Sequence, residues 1–445
     1  MSTMLANPET KKVQVFKNKN YRLLFWGVLV SNVAHILFNF AISLYILEVA
    51  KNAYGQEGAA LIQAAYLFVS GIILVLLIPF GGALADRKNK VRIMYLTDYI
   101  RGATIVIVAT IIALGADTVV QLVSLFIMNI ILAANSSFFN PASGSLLRFI
   151  VSDEELQPAA AYLQGSQNFQ TIVGLVLGGI MYATLPIWWI FIINGLGYII
   201  SAITEMFIKY DHKSHSKTTH SAKEMLLDIK EGVVYLYHQK GILAIMIMAL
   251  SFNFFVSPTF SSALPIFIKF GLAEESSYLF QNVLNPEHWY SIMSIAISVS
   301  AVIMSIIISK QKTKEKYGKS LKRALLGFTF PILVISAGMI LYYQQIVSVN
   351  VVLITVTMMM FLLGFANISF NVPVSMIMQR QVDRSMLGKV SSVSNVLSQA
   401  LIPFASLLAG LIIAKLSISM LYVFCSIGVI IVAFWFTNNR AADTI

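Results

Sequence analysis

Charge is scarce in this sequence. Only 11% of its 445 residues are Asp, Glu, Lys or Arg, while 58% are hydrophobic. Soluble domains carry roughly 25% charged and 45–50% apolar residues. A chain so poor in charge cannot cover a folded surface that faces water, so lipid is its natural solvent. Cysteine is nearly absent as well. The lone Cys425 sits in an apolar run, which rules out an internal disulfide and reads as packing. There is no Gly-x-x-x-x-Gly-Lys-Ser/Thr loop to cradle a phosphate, no serine elbow and no zinc-ligand spacing. Neither an enzyme nor a cofactor nor a metal site is expected.

The charge that is present has a sign. The formal net charge is +11. A nucleic-acid partner would require basic residues gathered on one folded face. Here they fall in short tracts between apolar runs, the habit of a membrane protein, so no nucleic-acid partner is expected. Lys11, Lys12, Lys17 and Lys19 precede the first apolar run. That run is too long for a signal-peptide core and has no small-residue cleavage site, so no cleaved signal is expected.

About 20 apolar residues cross a bilayer as a helix, because the hydrocarbon offers no water to satisfy an open backbone. Twelve such stretches occur, near 23–47, 59–83, 92–114, 119–140, 160–184, 186–208, 243–268, 289–309, 323–344, 349–373, 389–413 and 418–438. An inside N-terminus places 27 of the 31 Lys and Arg residues on the cytoplasmic side and leaves only Lys51, Lys269 and Lys415 outside, with Arg101 inside span 3. This asymmetry predicts a multi-pass protein of the inner or plasma membrane with both termini cytoplasmic.

The longest polar interval, 209–242, divides the chain into residues 1–208 and 243–445, each with six spans. It holds His212, His215 and His220, which fit a solvated linker better than a metal tract, since no Cys or carboxylate cluster completes a site. Its second part, 221–238, sets Met225, Leu226, Ile229, Val233, Leu236 and Tyr237 among charges, the pattern of an amphipathic helix on the membrane surface. A shift of 231 residues superposes Phe139-Asn140 on Phe370-Asn371, Arg92 on Arg323 and Gly179 on Gly410. These matches favour a parallel repeat of two bundles.

The loop after span 2 runs from Gly82 through Asp86-Arg87-Lys88-Asn89-Lys90-Val91-Arg92. It resembles the signature loop of the major facilitator superfamily, Gly-x-x-x-Asp-Arg-x-Gly-Arg-Lys. A small residue lets span 2 approach a neighbour, and a rim carboxylate can cap a helix or accept from arginine. The resemblance implies a gating role for Gly82, Asp86, Arg87 and Arg92. Asn89 replaces the second glycine but tolerates a left-handed backbone, and Val91 replaces a basic residue. Tyr21–Ile46, Phe138-Phe139-Asn140-Pro141-Ala142 and Asp228–Leu236 are similar to the macrolide-efflux and enterobactin-exporter branch of that superfamily. Ala34-His35 and Ala160 depart from it. Gly174–Gly179 is similar to the Gly-Pro-x-x-Gly-Gly motif of drug antiporters, with Leu175 in place of proline; it fits close packing and an export signature equally.

Polar residues recur at helical spacing within the spans. The stripes contain Asn32, His35 and Asn39 in span 1, Asn129 and Asn140 in span 4, and Gln167 and Gln170 in span 5. The second half contributes Asn253 in span 7, Asn367 and Asn371 in span 10, and Asn395 and Gln399 in span 11. Such residues can be interhelical glue, each bond stabilising by about 0.6 kcal/mol. Spans 1, 4, 7 and 10 line the central cavity in the resembled fold, which implies that these amides face substrate. Ionisable groups in mid-span need a reason. His35, Asp98 and Arg101 are candidates for ion coupling, with Glu205 a further buried carboxylate; Asp98 and Arg101 share a helix face and can simply pair.

The expected fold is therefore all-α, with twelve transmembrane helices in two pseudo-symmetric six-helix bundles. The resemblance implies a secondary active transporter that exports an amphiphilic small molecule, such as a macrolide-like drug, siderophore or peptide antibiotic. Proton coupling, antiport, antibiotic resistance and a monomeric state belong to the same expectation. A lipid or lysolipid flippase, an importer of the same fold, and a non-transporting receptor or immunity protein remain alternatives.

Overall fold

The computed structural model describes residues 15–209, 222–309, 317–383 and 386–441. Among them the chain is helical almost throughout. Short polar residues start the helices by accepting from free backbone N–H groups. Asn18 caps α1 (Lys19–Arg87), Asn89 caps α2 (Lys90–Ala113) and Asp117 caps α3 (Thr118–Ile150). Ser152 and Glu155 form a reciprocal capping box on α4 (Asp153–Thr184). Asn89 has φ −61° and ψ 115°. The asparagine is used as an extended cap and does not draw on the left-handed backbone that it tolerates.

At 69 residues, α1 is more than long enough to cross a bilayer twice. It folds back at Gly55, whose φ of 70° and ψ of −174° are open essentially to glycine alone. Spans 1 and 2 are thus its two halves. Nothing stands within 4 Å of a Cβ built at Gly55, so the requirement is conformational rather than steric. Gly55→Ala should cost about 1–3 kcal/mol and lower the thermal midpoint of the detergent-solubilised protein. Gly144 is equally open in space but lies inside a helix. Gly144→Ala should leave the midpoint unchanged or raise it; equal effects at the two sites would refute the backbone argument.

Spans 3 to 6 are α2, α3, α4 and α5 (Ile187–Met206). A helix over the rim, α6 (Ala222–His238), occupies the predicted amphipathic stretch. Its Leu236 is buried, while Val233, Val234 and Tyr237 are exposed. The histidine tract His212, His215 and His220 lies outside the described residues. Span 7 is composite: α7 (Lys240–Pro258), a π-helical turn at Thr259–Ala263, the short α8 (Leu264–Ile266) and a second π-helical turn at Phe267–Gly271. Spans 8 to 10 are α9 (Pro286–Ser309), α10 (Gly318–Tyr343) and α11 (Val349–Gln381). Span 11 is broken at Leu401 into α12 (Leu387–Ala400) and α13 (Ile402–Lys415), and span 12 is α14 (Ile418–Asn438).

Among the described residues, ten helical stretches are long and apolar enough to cross a membrane. Counting α1 twice and adding the more polar, 32-residue α4 gives twelve. Spans 4 and 10 outrun their apolar stretches, continuing past Pro141 to Ile150 and past Pro373 to Gln381. Leu146, Ile150 and Ile377 are buried in these extensions, so packing sustains the helix where hydropathy stops. Alternating crossings put Arg92, Arg148, Arg323 and Arg380 at one end, the basic rim, and Lys51, Lys269 and Lys415 at the other, the far rim.

Each bundle has its own apolar core. Phe38, Met128 and Phe191 pack in the first, and Phe267, Met293, Ile332 and Phe436 in the second. Large apolar residues such as Ile107, Ile127, Ile431 and Phe434 remain exposed on the helices, as lipid-facing surfaces do. With lipid as solvent, close helix approach depends on small residues. A Cβ at Gly81 would strike the backbone at Ser137 and Phe138, and one at Gly364 would strike Ser300 and the Ile297 carbonyl. These contacts weld α1 to α3 and α11 to α9, the corresponding pairs of spans in the two bundles.

Candidate functional site

The two bundles meet along two seams towards the far rim. In one, Gly179 of α4 faces Ser291 of α9, whose hydroxyl donates to the Leu175 carbonyl at 2.6 Å. In the other, Gly410 of α13 faces Ala60 and Ala64 of α1, and Gly71 faces Pro403. The 231-residue shift superposes Gly179 on Gly410, and the two glycines take equivalent places at opposite seams. Gly174 and Gly178 of the same α4 motif pack on Ile36 and Phe40 of α1. The stretch similar to the antiporter motif therefore serves close packing both within its bundle and across the seam.

An ionic clasp sits above the seams. Lys269, in the second π-helical turn, reaches Glu48 of α1 at 2.7 Å and Glu287 of α9 at 3.3 Å. The Tyr182 hydroxyl of α4 donates to Glu48 at 3.2 Å, and the Lys269 ammonium lies 5.0 Å from the Tyr182 ring. Lys51 and Gln56 both reach Glu274, at 2.9 and 3.0 Å. Tyr290 stacks on Phe40 across the same boundary, with ring centroids 4.9 Å apart. None of these residues was singled out as functional in the sequence. The available signal was the rarity of charge at this end of the spans.

The polar stripes are divided between the bundles. In the second, Asn253, Asn367 and Asn371 share a cavity of about 440 Å³ with Phe252, Phe260, Phe328 and Phe370. Asn253 donates to the Ser398 carbonyl at 2.9 Å, and Asn371 donates to the Asn367 carbonyl at 3.0 Å. Gln399 is exposed on α12, and the side chain of Asn395 lies outside the described set. In the first bundle, Asn32 donates to Gln170 at 3.0 Å, and Gln170 donates to Ser166 at 3.0 Å. Asn39 and His35 are 3.0 Å apart, and the other His35 nitrogen is 3.0 Å from the Tyr198 hydroxyl. Asn140 and Gln167 are exposed. Asn129 is buried and donates to the Tyr66 carbonyl at 2.7 Å, which ties α3 to α1. An exposed amide beside aromatic walls can orient a ligand of mixed polarity; a buried one such as Asn129 holds helices together.

At the basic rim, Asp86 and Arg87 end α1, with side chains outside the described set. Arg92 stands in the first turn of α2, its N–H capped by Asn89 at 3.1 Å. Gly81, one residue before the Gly82 of the motif, makes a close approach to α3. Buried Lys90 donates to the Ala85 carbonyl at 2.7 Å and closes the loop. Asp98 and Arg101 pair at 2.9 Å, both buried.

Residues 24–406 match the family described as Major Facilitator Superfamily. The chain is 24% identical to the uncharacterized MFS-type transporter YkuC of Bacillus subtilis over 94% of its length and 91% of that protein's. A provisionally named bacilysin exporter of the same organism, BacE, is 29% identical over 37% of this chain and 43% of its own. Among solved structures, a D-xylose–proton symporter superposes with a TM-score of 0.70 at 11% identity, covering 95% of this chain and 98% of that one. A bacterial homologue of the iron transporter ferroportin in an inward-facing state gives 0.67 at 13% identity, covering 95% and 98%.

Proposed function

The chain belongs to the major facilitator superfamily, and from that membership we propose that it exports an amphiphilic small molecule by proton-coupled alternating access. Its relatives are transporters rather than enzymes. The observation that carries the substrate class is the cavity in which Asn253, Asn367 and Asn371 lie among four phenylalanines. Uncharged amides in aromatic walls suit a large, mostly neutral ligand. The direction is supported by the provisional naming of BacE as an exporter. In this reading Asn32, His35, Asn39, Asn140, Gln167, Asn395 and Gln399 complete the path, with buried Gln170 holding Asn32 in place, and Gly82, Asp86, Arg87 and Arg92 gate the basic rim. Residues 1–208 and 243–445 rock as two bodies joined by 209–242. The basic rim and both termini face the cytoplasm, and the protein works as a monomer in the plasma membrane.

Inverted membrane vesicles test this. With a fluorescent amphiphilic dye and an antibiotic panel as probes, an exporter accumulates compound when a proton gradient is imposed. Release of preloaded compound would mean import, and no gradient-dependent movement of any probe would leave a binding protein. A second reading has one observation of its own. A groove of about 710 Å³ between α9, α10 and α11 is lined by Phe330, Leu362 and Phe365, with Arg323 near the basic rim. That shape suits a lipid, and a flippase would move fluorescent lysolipid between leaflets in the same vesicles while leaving the antibiotics untouched.

A further inference from the structure

One buried group of charges is used by none of the packing described above. Asp98 and Arg101 of α2 face Glu205 of α5, all three within the first bundle and nearly or wholly inaccessible. Arg101 holds one oxygen of Asp98 at 2.9 Å. One oxygen of Glu205 accepts only a long bond, 3.4 Å, from the Ser201 hydroxyl. The remaining oxygens, Asp98 Oδ2 and Glu205 Oε2, have no hydrogen-bond partner, and neither has Arg101 Nε. About three turns back along the same face of α5, both side-chain polar atoms of Asn194 are buried and unpartnered as well.

Helix packing closes the group in. Gly102 of α2 and Gly195 of α5 bring those backbones together, and Gly27 of α1 admits Thr204 and Ser201. Arg101 lies over two rings, 4.8 Å from the centre of Phe139 in α3 and 5.4 Å from that of Tyr198 in α5. The titratable groups facing it are therefore Asp98 from α2, Glu205 and Tyr198 from α5, and His35 from α1 through Tyr198; α3 presents Phe139.

The arithmetic of charge is decisive here. Two ionised carboxylates and one guanidinium would leave a net negative charge enclosed by closely packed helices. An uncompensated charge there is far costlier than a neutral acid. Asp98 already has the arginine, so the neutral acid is Glu205. We propose that Asp98, Arg101 and Glu205 form the proton-binding site that couples to transport, with the proton on Glu205 in this conformation. Release breaks the Glu205 O–H bond and hands the proton to water. The guanidinium is then shared by two carboxylates, which draws it off the Tyr198 ring. Tyr198 is bonded to His35, and His35 to the exposed Asn39, so the occupancy of the buried acid is felt at the polar stripe of span 1.

This rests on the transport reading above, yet it can fail separately. The test uses purified full-length protein in lipid nanodiscs, with no substrate. Infrared spectroscopy at neutral pH should show a protonated-carboxyl C=O band that is absent from Glu205→Gln. It should be lost from Asp98→Asn too, although Glu205 is intact, because one carboxylate and one guanidinium need no proton. In the Cys425→Ser background, spin labels at Glu57 and Val283 report the separation of the bundles at the far rim. Their distance distribution should shift with pH in the parent and stay flat in Glu205→Gln. A band that survives in Asp98→Asn overturns the shared proton. A distance distribution that titrates unchanged in Glu205→Gln overturns the coupling. Vesicles that move no probe while the band behaves as described would sink the transport reading and leave the proton site standing.

Discussion

Lys269→Ala opens the far rim. The substitution leaves Glu48 and Glu287 without the ammonium that lies between them, and it removes the tie from span 7 to both α1 and α9. The clasp is neither buried nor free: Lys269 is 13% exposed, Glu287 16% and Glu48 51%. Exposed pairs contribute at most about 1 kcal/mol, whereas truncating one member of a buried pair costs about 2–5 kcal/mol. A value of about 2 kcal/mol moves a two-state population roughly 30-fold. Spin labels at Glu57 and Val283 should show the long-distance population rising by that order. Charge exchange, Lys269→Glu with Glu48→Lys, should restore part of the short distance. If Lys269→Ala leaves the distribution where it was, the clasp does not hold the rim closed.

Two classes of glycine should part company when enlarged. Gly179→Leu and Gly410→Leu put a side chain into the seams between the bundles, against Ser291 in one and Ala60 and Ala64 in the other. The bundles can relieve the overlap by separating, so these variants should fold and populate the open far rim. Gly364→Leu has no such escape. Its neighbours, Ser300 and the Ile297 carbonyl, belong to the same bundle, and a Cβ there meets backbone. Overpacking costs about 1–3 kcal/mol, more where backbone must move. Gly364→Leu should lose most of its monodisperse peak in fluorescence-detected size exclusion, while Gly410→Leu keeps it. Equal loss of both, or a Gly410→Leu protein that stays closed at the far rim, would refute the division into rigid bodies.

The number of spans and their grouping were legible because apolar length and charge placement are local properties. The correspondence of Gly179 with Gly410 was legible because a repeat preserves spacing. The clasp was not, since Glu48 and Lys269 are 221 residues apart and nothing in either neighbourhood names the other. Glu205 was visible only as a lone buried carboxylate; its relation to Asp98 and Arg101 comes from the close approach of α2 and α5 at Gly102 and Gly195. Asn129 shows a further limit: it shares the helical spacing of exposed Asn140 but is turned into a neighbour, and spacing alone does not distinguish the two.

The two π-helical turns of span 7 set an angular register. Each wide turn takes in one residue more than an α-turn, and one residue of an α-helix is worth about 100° of rotation about the axis. Lys269 lies inside the second turn, so its direction towards Glu48 and Glu287 depends on both insertions. Removing one residue from Thr259–Ala263 would let that turn relax to ordinary helix and swing Lys269 about 100° away from its partners. The far end of the molecule is thus fastened by a bond whose aim is set two turns deeper in the membrane, where a change in the winding of one helix could release it without touching a single charge.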